Sequence, residues 1–172
     1  RTVTFGIREY GYEWHDGIFR LKINGEPVYV KGGNWGMSEW LLRCRGEEYD
    51  TRVALHRHMH FNMIRNWIGS TTDDEFYEAC DRYGIMVFDD FWLNSHPNLP
   101  DDVFAFNRNA VEKIKRLRNH PSIAVWCGDN EGRAPGAAQR VAARGCQGLR
   151  RRRPLVPAHF ARVRILGAAA PG

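Results

Sequence analysis

Ser122-Ile123-Ala124-Val125-Trp126-Cys127-Gly128-Asp129-Asn130-Glu131 is an apolar run of strand length that closes on two acids and an amide. A run this short, without polar alternation, suits a strand covered on both faces. The same order recurs upstream. Val28-Tyr29-Val30 starts a strand that leads into Lys31-Gly32-Gly33-Asn34-Trp35, Phe61 to Ile68 encloses Arg65-Asn66-Trp67, and Ile85-Met86-Val87-Phe88 leads into Asp89-Asp90-Phe91-Trp92. Helical stretches separate these runs. Glu47 to His60 carries acids in its first turn and basic residues near its end, as the helix dipole favours. Thr72 stands three residues before Glu75, a capping box, and Gly84 stands at the C-cap position. Val111, Ile114, Lys115 and Leu117 mark a third helix that ends before Pro121. Strands alternating with helices at this spacing predict parallel βα units, in an open doubly wound sheet or in a closed barrel. Every strand here ends in a polar and aromatic cluster. A barrel gathers all such ends at one mouth, whereas an open sheet uses mainly those at its switch point. The reading is therefore a barrel. A complete one takes about 250 residues, so residues 26–132 would form its first four units.

Outward from that frame, Thr2 to Ile7 and Gly17 to Ile23 alternate apolar with polar, and Asn24-Gly25 is a hairpin signal. The chain has 172 residues, 43% of them hydrophobic, which suits one ordinary domain and excludes disordered, collagen-like and disulfide-scaffold classes. No apolar run reaches the roughly 18–20 residues of a membrane span, and Arg1 to Tyr10 has no signal-peptide core. The net charge of +5 divides unevenly: 16 basic against 20 acidic residues up to Gly132, then 9 arginines and no acid from Arg133 to Gly172. The basicity belongs to the tail, so no nucleic-acid partner is expected of the folded part. Synonymous codons for Ala138 to Gly167 can be chosen so that the frame one base later encodes acids, aromatics and turn residues. Residues 133–172 read best as a frameshifted, non-native tail, with a nucleic-acid patch at Arg150-Arg151-Arg152-Arg153 or a disordered tail as the alternatives. The four cysteines show no metal or redox spacing.

Asp129-Asn130-Glu131 puts carboxylates and an amide where a buried strand meets its loop, which suits general acid/base chemistry or, equally by residue type, a helix N-cap. Arg65 would be costly to bury without an anion, so it reads as a substrate-binding or carboxylate-orienting group, or as half of a structural ion pair. Trp35, Trp67, Phe91, Trp92 and Trp126 could stack sugars at a common mouth or pack in the core. Asp89-Asp90 could bind hydroxyls; no further ligand at suitable spacing argues for a metal. His56 and His60 are spaced for zinc but read better as a solvated helix face. Gly32-Gly33-Asn34-Trp35-Gly36 lacks the order of a phosphate loop.

Gly33-Asn34-Trp35, Asn62-Met63-Ile64-Arg65, Asp74-Glu75-Phe76-Tyr77, Gly84-Ile85-Met86-Val87, Asp90-Phe91, and above all Arg116 to Ile123 with Trp126 to Glu131, resemble glycoside hydrolase family 2. The likeness is to its β-mannosidase and exo-β-D-glucosaminidase branch and runs from about Phe5 to Gly132. It implies an α/β fold: the first half of a (β/α)8 TIM barrel, preceded by the last strands of an immunoglobulin-like β-sandwich at residues 1–25. It implies a retaining exo-β-glycosidase acting on terminal β-linked sugars, with carbohydrate as partner, no cofactor, no metal, no nucleic acid and no membrane. Glu131 matches the acid/base, Asn130 the amide that binds the sugar 2-hydroxyl, and Arg65 the arginine that supports the nucleophile. Asp89, Asp90, Trp92, Asn34 and Trp67 fall where substrate contacts are expected. The family nucleophile is a glutamate on a later strand, so the 172-residue chain alone is expected to be inactive. Asp129 stands where the mannosidase pattern has Asn, which opens the choice of sugar; with much of the sugar pocket outside the chain, β-galactosidase, β-glucuronidase and exo-β-glucosaminidase are alternatives, and a non-catalytic carbohydrate-binding remnant is a second class. A periplasmic or secreted location suits the family; oligomeric state is not legible.

Overall fold

The computed structural model describes residues 2, 5–36, 41, 44–94 and 100–131. The tail read as frameshifted lies outside the described residues. Three antiparallel strands come first: β1 (Tyr10–His15), β2 (Ile18–Ile23) and β3 (Glu26–Val28). Two-residue turns join them. Asn24 and Gly25 adopt φ of 51° and 87°, and Asp16 and Gly17 adopt 52° and 75°. Positive φ at both central residues is the type I′ geometry that matches strand twist, and Asn-Gly and Asp-Gly tolerate it best. The second of these turns, Asp16-Gly17, went unread in the sequence although its signal is as strong as the first. The alternation at the N-terminus misleads, since residues 5–9 form no strand and β1 begins at Tyr10.

Parallel strands β4 (Gly32–Trp35), β5 (Met63–Asn66), β6 (Met86–Asp90) and β7 (Ile123–Cys127) form a sheet in that order. Helices α1 (Glu47–His58), α2 (Asp74–Tyr83) and α3 (Val103–Leu117) connect them. The strand expected to run continuously from Val28 to Trp35 is broken at residues 29–31, which separates β3 from β4. One sheet face carries Ile64, Val87 and Trp126, packed with Tyr49, Phe76, Tyr77, Ile114 and Leu117 of the helices. The opposite face carries Met63, Met86, Ala124 and Val125, packed against Leu21, with Tyr10, Tyr12, Phe19, Ile23 and Val28 around it. The Tyr10 hydroxyl donates to the Pro121 carbonyl at 2.8 Å, and Tyr12 donates to the Ala124 carbonyl. Among the described residues the buried face of β1–β3 has the parallel sheet as its partner.

The predicted capping box does not form. Asp73 is the N-cap of α2, without a side-chain cap bond, and its carboxylate accepts from the Tyr49 hydroxyl at 2.8 Å instead. Gly84 does cap this helix in the left-handed region at φ 68°. Gly84→Ala should therefore lower stability by about 1–2 kcal/mol, the left-handed penalty of a Cβ, read as a fall in denaturation midpoint with unchanged denaturant slope. Among the described residues no helix is long and apolar enough to cross a membrane, and no three His, Cys, Asp or Glu side chains converge on a metal position.

Candidate active site

Side chains along a strand alternate between faces, and this decides which of the strand-end residues meet. On β5, Met63 and Arg65 face the meander side while Ile64 and Asn66 face the helices; on β6, Met86, Phe88 and Asp90 take the first side and Val87 and Asp89 the second. Arg65 and Asp90 thus share a face. The guanidinium donates from Nε to Asp90 Oδ1 at 3.0 Å and from Nη2 to Oδ2 at 2.6 Å, a bidentate pair. The same Nη2 donates to Asn130 Oδ1 at 2.8 Å. Asp90 is fully buried, and its Oδ2 also accepts from the Ile68 amide at 3.0 Å.

Asn130 is fixed from its other end. Its Nδ2 donates to Asn94 Oδ1 at 2.8 Å, and its main-chain N–H donates to the Leu93 carbonyl at 3.0 Å. A parallel bridge between Asn94 and Asn130 continues the sheet past the ends of β6 and β7. Glu131 follows directly, exposed, with φ 57°. A non-glycine residue in the left-handed region is uncommon, and such backbone concentrates at functional sites. The structure therefore brings Arg65, Asp90 and Asn130 into one hydrogen-bonded cluster, with Glu131 on its rim.

The remaining expected contacts are placed differently. Asp89, expected at the substrate, points into the helical layer and is fully buried there. Its carboxylate accepts from Lys113 Nζ at 2.9 Å, Asn66 Nδ2 at 2.8 Å and the Tyr77 hydroxyl at 2.9 Å. Burial pushes the Asp89 carboxyl above the usual carboxylate range, against the opposing pull of Lys113. The Tyr77 hydroxyl is pushed far up by the same burial and by Asp89 beside it. Trp92 lies against α3, edge-on to Phe106 at 5.9 Å with Lys113 Nζ 5.2 Å from its ring centre. Asn34 is exposed and is the register partner of Arg65 across β4–β5. Trp67 is half-buried and opens a single 3-10 turn, Trp67–Gly69. Of the other aromatics, Trp35 is buried with its Nε1 donating to Thr71 Oγ1 at 3.0 Å, and Phe91 stacks on Trp126 at 5.6 Å inside the helix-side core. The five-ring platform is thus dismantled by alternation, leaving Trp67 and Trp92 with accessible surface.

Lys113, Asn94 and Ile68 were not read from the sequence. For Lys113 a signal existed, because it interrupts the stripe of Ala110, Ile114 and Leu117 with a charge at helical spacing. Cys127, at the end of β7, is buried, and burial raises its thiol to about 11. Its alkylation by iodoacetamide at pH 8 should be about two orders of magnitude slower in the folded chain than in denaturant, as peptide mapping would show.

The sequence model of Glycosyl hydrolases family 2, TIM barrel domain, matches residues 18–155. The chain belongs to glycosyl hydrolase family 2. The family 2 match starts at β2, taking part of the meander in with the barrel, and continues beyond Gly132. A mannosylglycoprotein endo-beta-mannosidase of Lilium longiflorum is 43% identical over 122 residues, covering 64% of this chain and 13% of that protein. Beta-mannosidase B of Aspergillus terreus is 36% identical over 121 residues, covering 68% and 14%. The crystal structure of the beta-D-mannosidase of Dictyoglomus thermophilum superposes with a TM-score of 0.71 at 34% identity, over 84% of this chain and 21% of that one. Within family 2 the likeness is thus to the β-mannosidase type, and the chain spans 13–14% of the length of these two curated relatives.

Proposed function

We propose that this segment contributes the acid/base half of a retaining exo-β-glycosidase of the β-mannosidase type. The observation that carries the reading is the Arg65–Asp90–Asn130 cluster at the C-terminal ends of β5, β6 and β7, with Glu131 next in the chain. Retaining hydrolysis needs one carboxyl to protonate the leaving oxygen and another, about 5–5.5 Å away, to attack the anomeric carbon. Glu131 takes the first role. Asn130, with its carbonyl oxygen on Arg65 and its amide on Asn94, is oriented to meet a sugar hydroxyl. Arg65, locked in plane by Asp90, holds a positive charge at the strand ends, which favours the ionised form of an approaching nucleophilic carboxylate. That nucleophile is a glutamate from a later strand, beyond these 172 residues, so the chain alone hydrolyses nothing. Asp90 acts by orienting Arg65.

The test is to sequence the gene across codons 132 to 172 and onward, then express the whole frame. The expected result is a one-base slip, a glutamate at a later strand end, and hydrolysis of nitrophenyl β-mannoside with a β-configured first product. Failure to cleave any β-linked glycoside by a protein that carries the later glutamate, or an inverted product, overturns the reading. The 43% identity to the lily enzyme supports one second reading, an endo-acting β-mannosidase on mannosylated glycoproteins. Cleavage of a mannosylated glycopeptide without cleavage of nitrophenyl β-mannoside would establish it.

A further inference from the structure

Lys113 is a charged residue on the buried stripe of α3, 6% exposed, and no step of the proposed chemistry uses it. An apolar side chain would pack there without the desolvation cost of an ammonium, and buried ion pairs add little net stability over well-packed apolar residues. Its contacts show what else it does. Nζ donates to Asp89 Oδ1 at 2.9 Å and to the main-chain carbonyl of Asp90 at 2.8 Å, with the Phe91 and Trp92 ring centres at 5.6 and 5.2 Å. The turn after β5 closes over the same point. Gly69, at φ 62°, comes so near that a Cβ would stand 2.5 Å from the Asp90 carbonyl oxygen and 3.0 Å from Lys113 Nζ. Its neighbour Ile68 holds a left-handed φ of 47° while donating its amide to Asp90 Oδ2. A β-branched residue in that region is an outlier, sustained only where surrounding contacts over-determine it.

Three segments therefore meet at Asp90: the end of β6, the strained turn and α3. From the helical side Lys113 holds the Asp90 carbonyl; from the meander side Arg65 holds its carboxylate. We propose that Lys113 is a positioning residue for the Arg65–Asn130 cluster, fixing the end of β6 so that Asp90 presents both carboxylate oxygens to Arg65. Its importance for turnover rests on the glycosidase reading above; the geometric claim does not.

Hydrogen exchange at the Arg65 guanidinium tests it in the 172-residue chain and needs no activity. The Nε–H signal is assigned by its loss in Arg65→Lys. Asp89→Asn/Lys113→Met removes both buried charges together and frees the Asp90 carbonyl. In this variant Arg65 Nε–H exchange should be at least about tenfold faster than in the wild type, the scale of a charge-assisted hydrogen bond. Val53→Ala, a remote core change in α1, supplies a control of lowered melting temperature and should leave the exchange slow under folding conditions. Equal exchange in the double variant and the control would overturn the proposal. Should the double variant not fold, Gly69→Ala perturbs the same contact, and the same comparison decides. In the whole-frame enzyme, fast exchange with kcat reduced and KM little changed supports positioning for catalysis. Fast exchange in a protein without glycosidase activity would sink the function and leave the geometry standing.

Discussion

Glu131→Gln in the whole-frame enzyme lowers kcat/KM on methyl or disaccharide β-glycosides by about 10³-fold, within the range a positioned general acid contributes. The loss depends on the leaving group. A dinitrophenolate departs without a proton, so the first step on a dinitrophenyl glycoside survives, while breakdown of the glycosyl-enzyme, which needs the same residue as base, slows. The expected record is a burst of dinitrophenol followed by slow turnover with a lowered KM. Equal losses on both substrate types would deny Glu131 the acid role. The effect should be separable from folding because Glu131 is exposed, one residue beyond the Asn130 anchor.

Lys113→Met has the largest expected effect on stability. Asp89 stays fully buried with Asn66 and Tyr77 as neutral donors and no cation. Breaking a buried pair from one side costs about 3–5 kcal/mol, which in a chain of this length is a fall in melting temperature of about 10 °C. The deficit depends on pH in a stated direction. Burial already raises the Asp89 carboxyl above its unfolded value, and losing Lys113 raises it further. A group that holds its proton more tightly when folded stabilises fully below the unfolded pKa, and that contribution is lost as pH rises through the folded value. The difference between variant and wild type should therefore widen from pH 5 to pH 8 in matched denaturation curves. A constant difference would mean that Asp89 finds another partner.

Much of the architecture was legible because the local signals were physical. Asn24-Gly25 turns where type I′ geometry needs positive φ, Gly84 ends α2 in the left-handed region, and the strand–helix rhythm placed β5 to β7 within one or two residues. The misreadings have equally specific causes. Phe5 to Ile7 close an alternating run, yet residues 5–9 form no strand, and the ladder opposite β2 starts at Tyr10. Thr72 had the spacing of a cap, but Asp73 holds that position with its side chain turned to Tyr49. In the site, Arg65, Asp90 and Asn130 were individually visible as polar groups at strand ends. Their division from Asp89, Trp35 and Trp126 was not, because it depends on which way each strand's alternation falls.

Asp89 and Asp90 show what that division does to a doubled residue. Two acidic residues whose Cα atoms are about 3.8 Å apart send their carboxylates to opposite sides of the sheet, and each is answered there by a cation, Lys113 at 2.9 Å and Arg65 at 2.6 Å. Both aspartates are fully buried, so bulk ions cannot enter between the partners. Salt screens exposed pairs such as Arg82–Asp50 over a Debye length of about 8 Å at physiological ionic strength, but has little purchase on this one. The end of β6 is thus an electrostatic rivet through the sheet, and the strand end beside Glu131 keeps its alignment in brine as in dilute buffer.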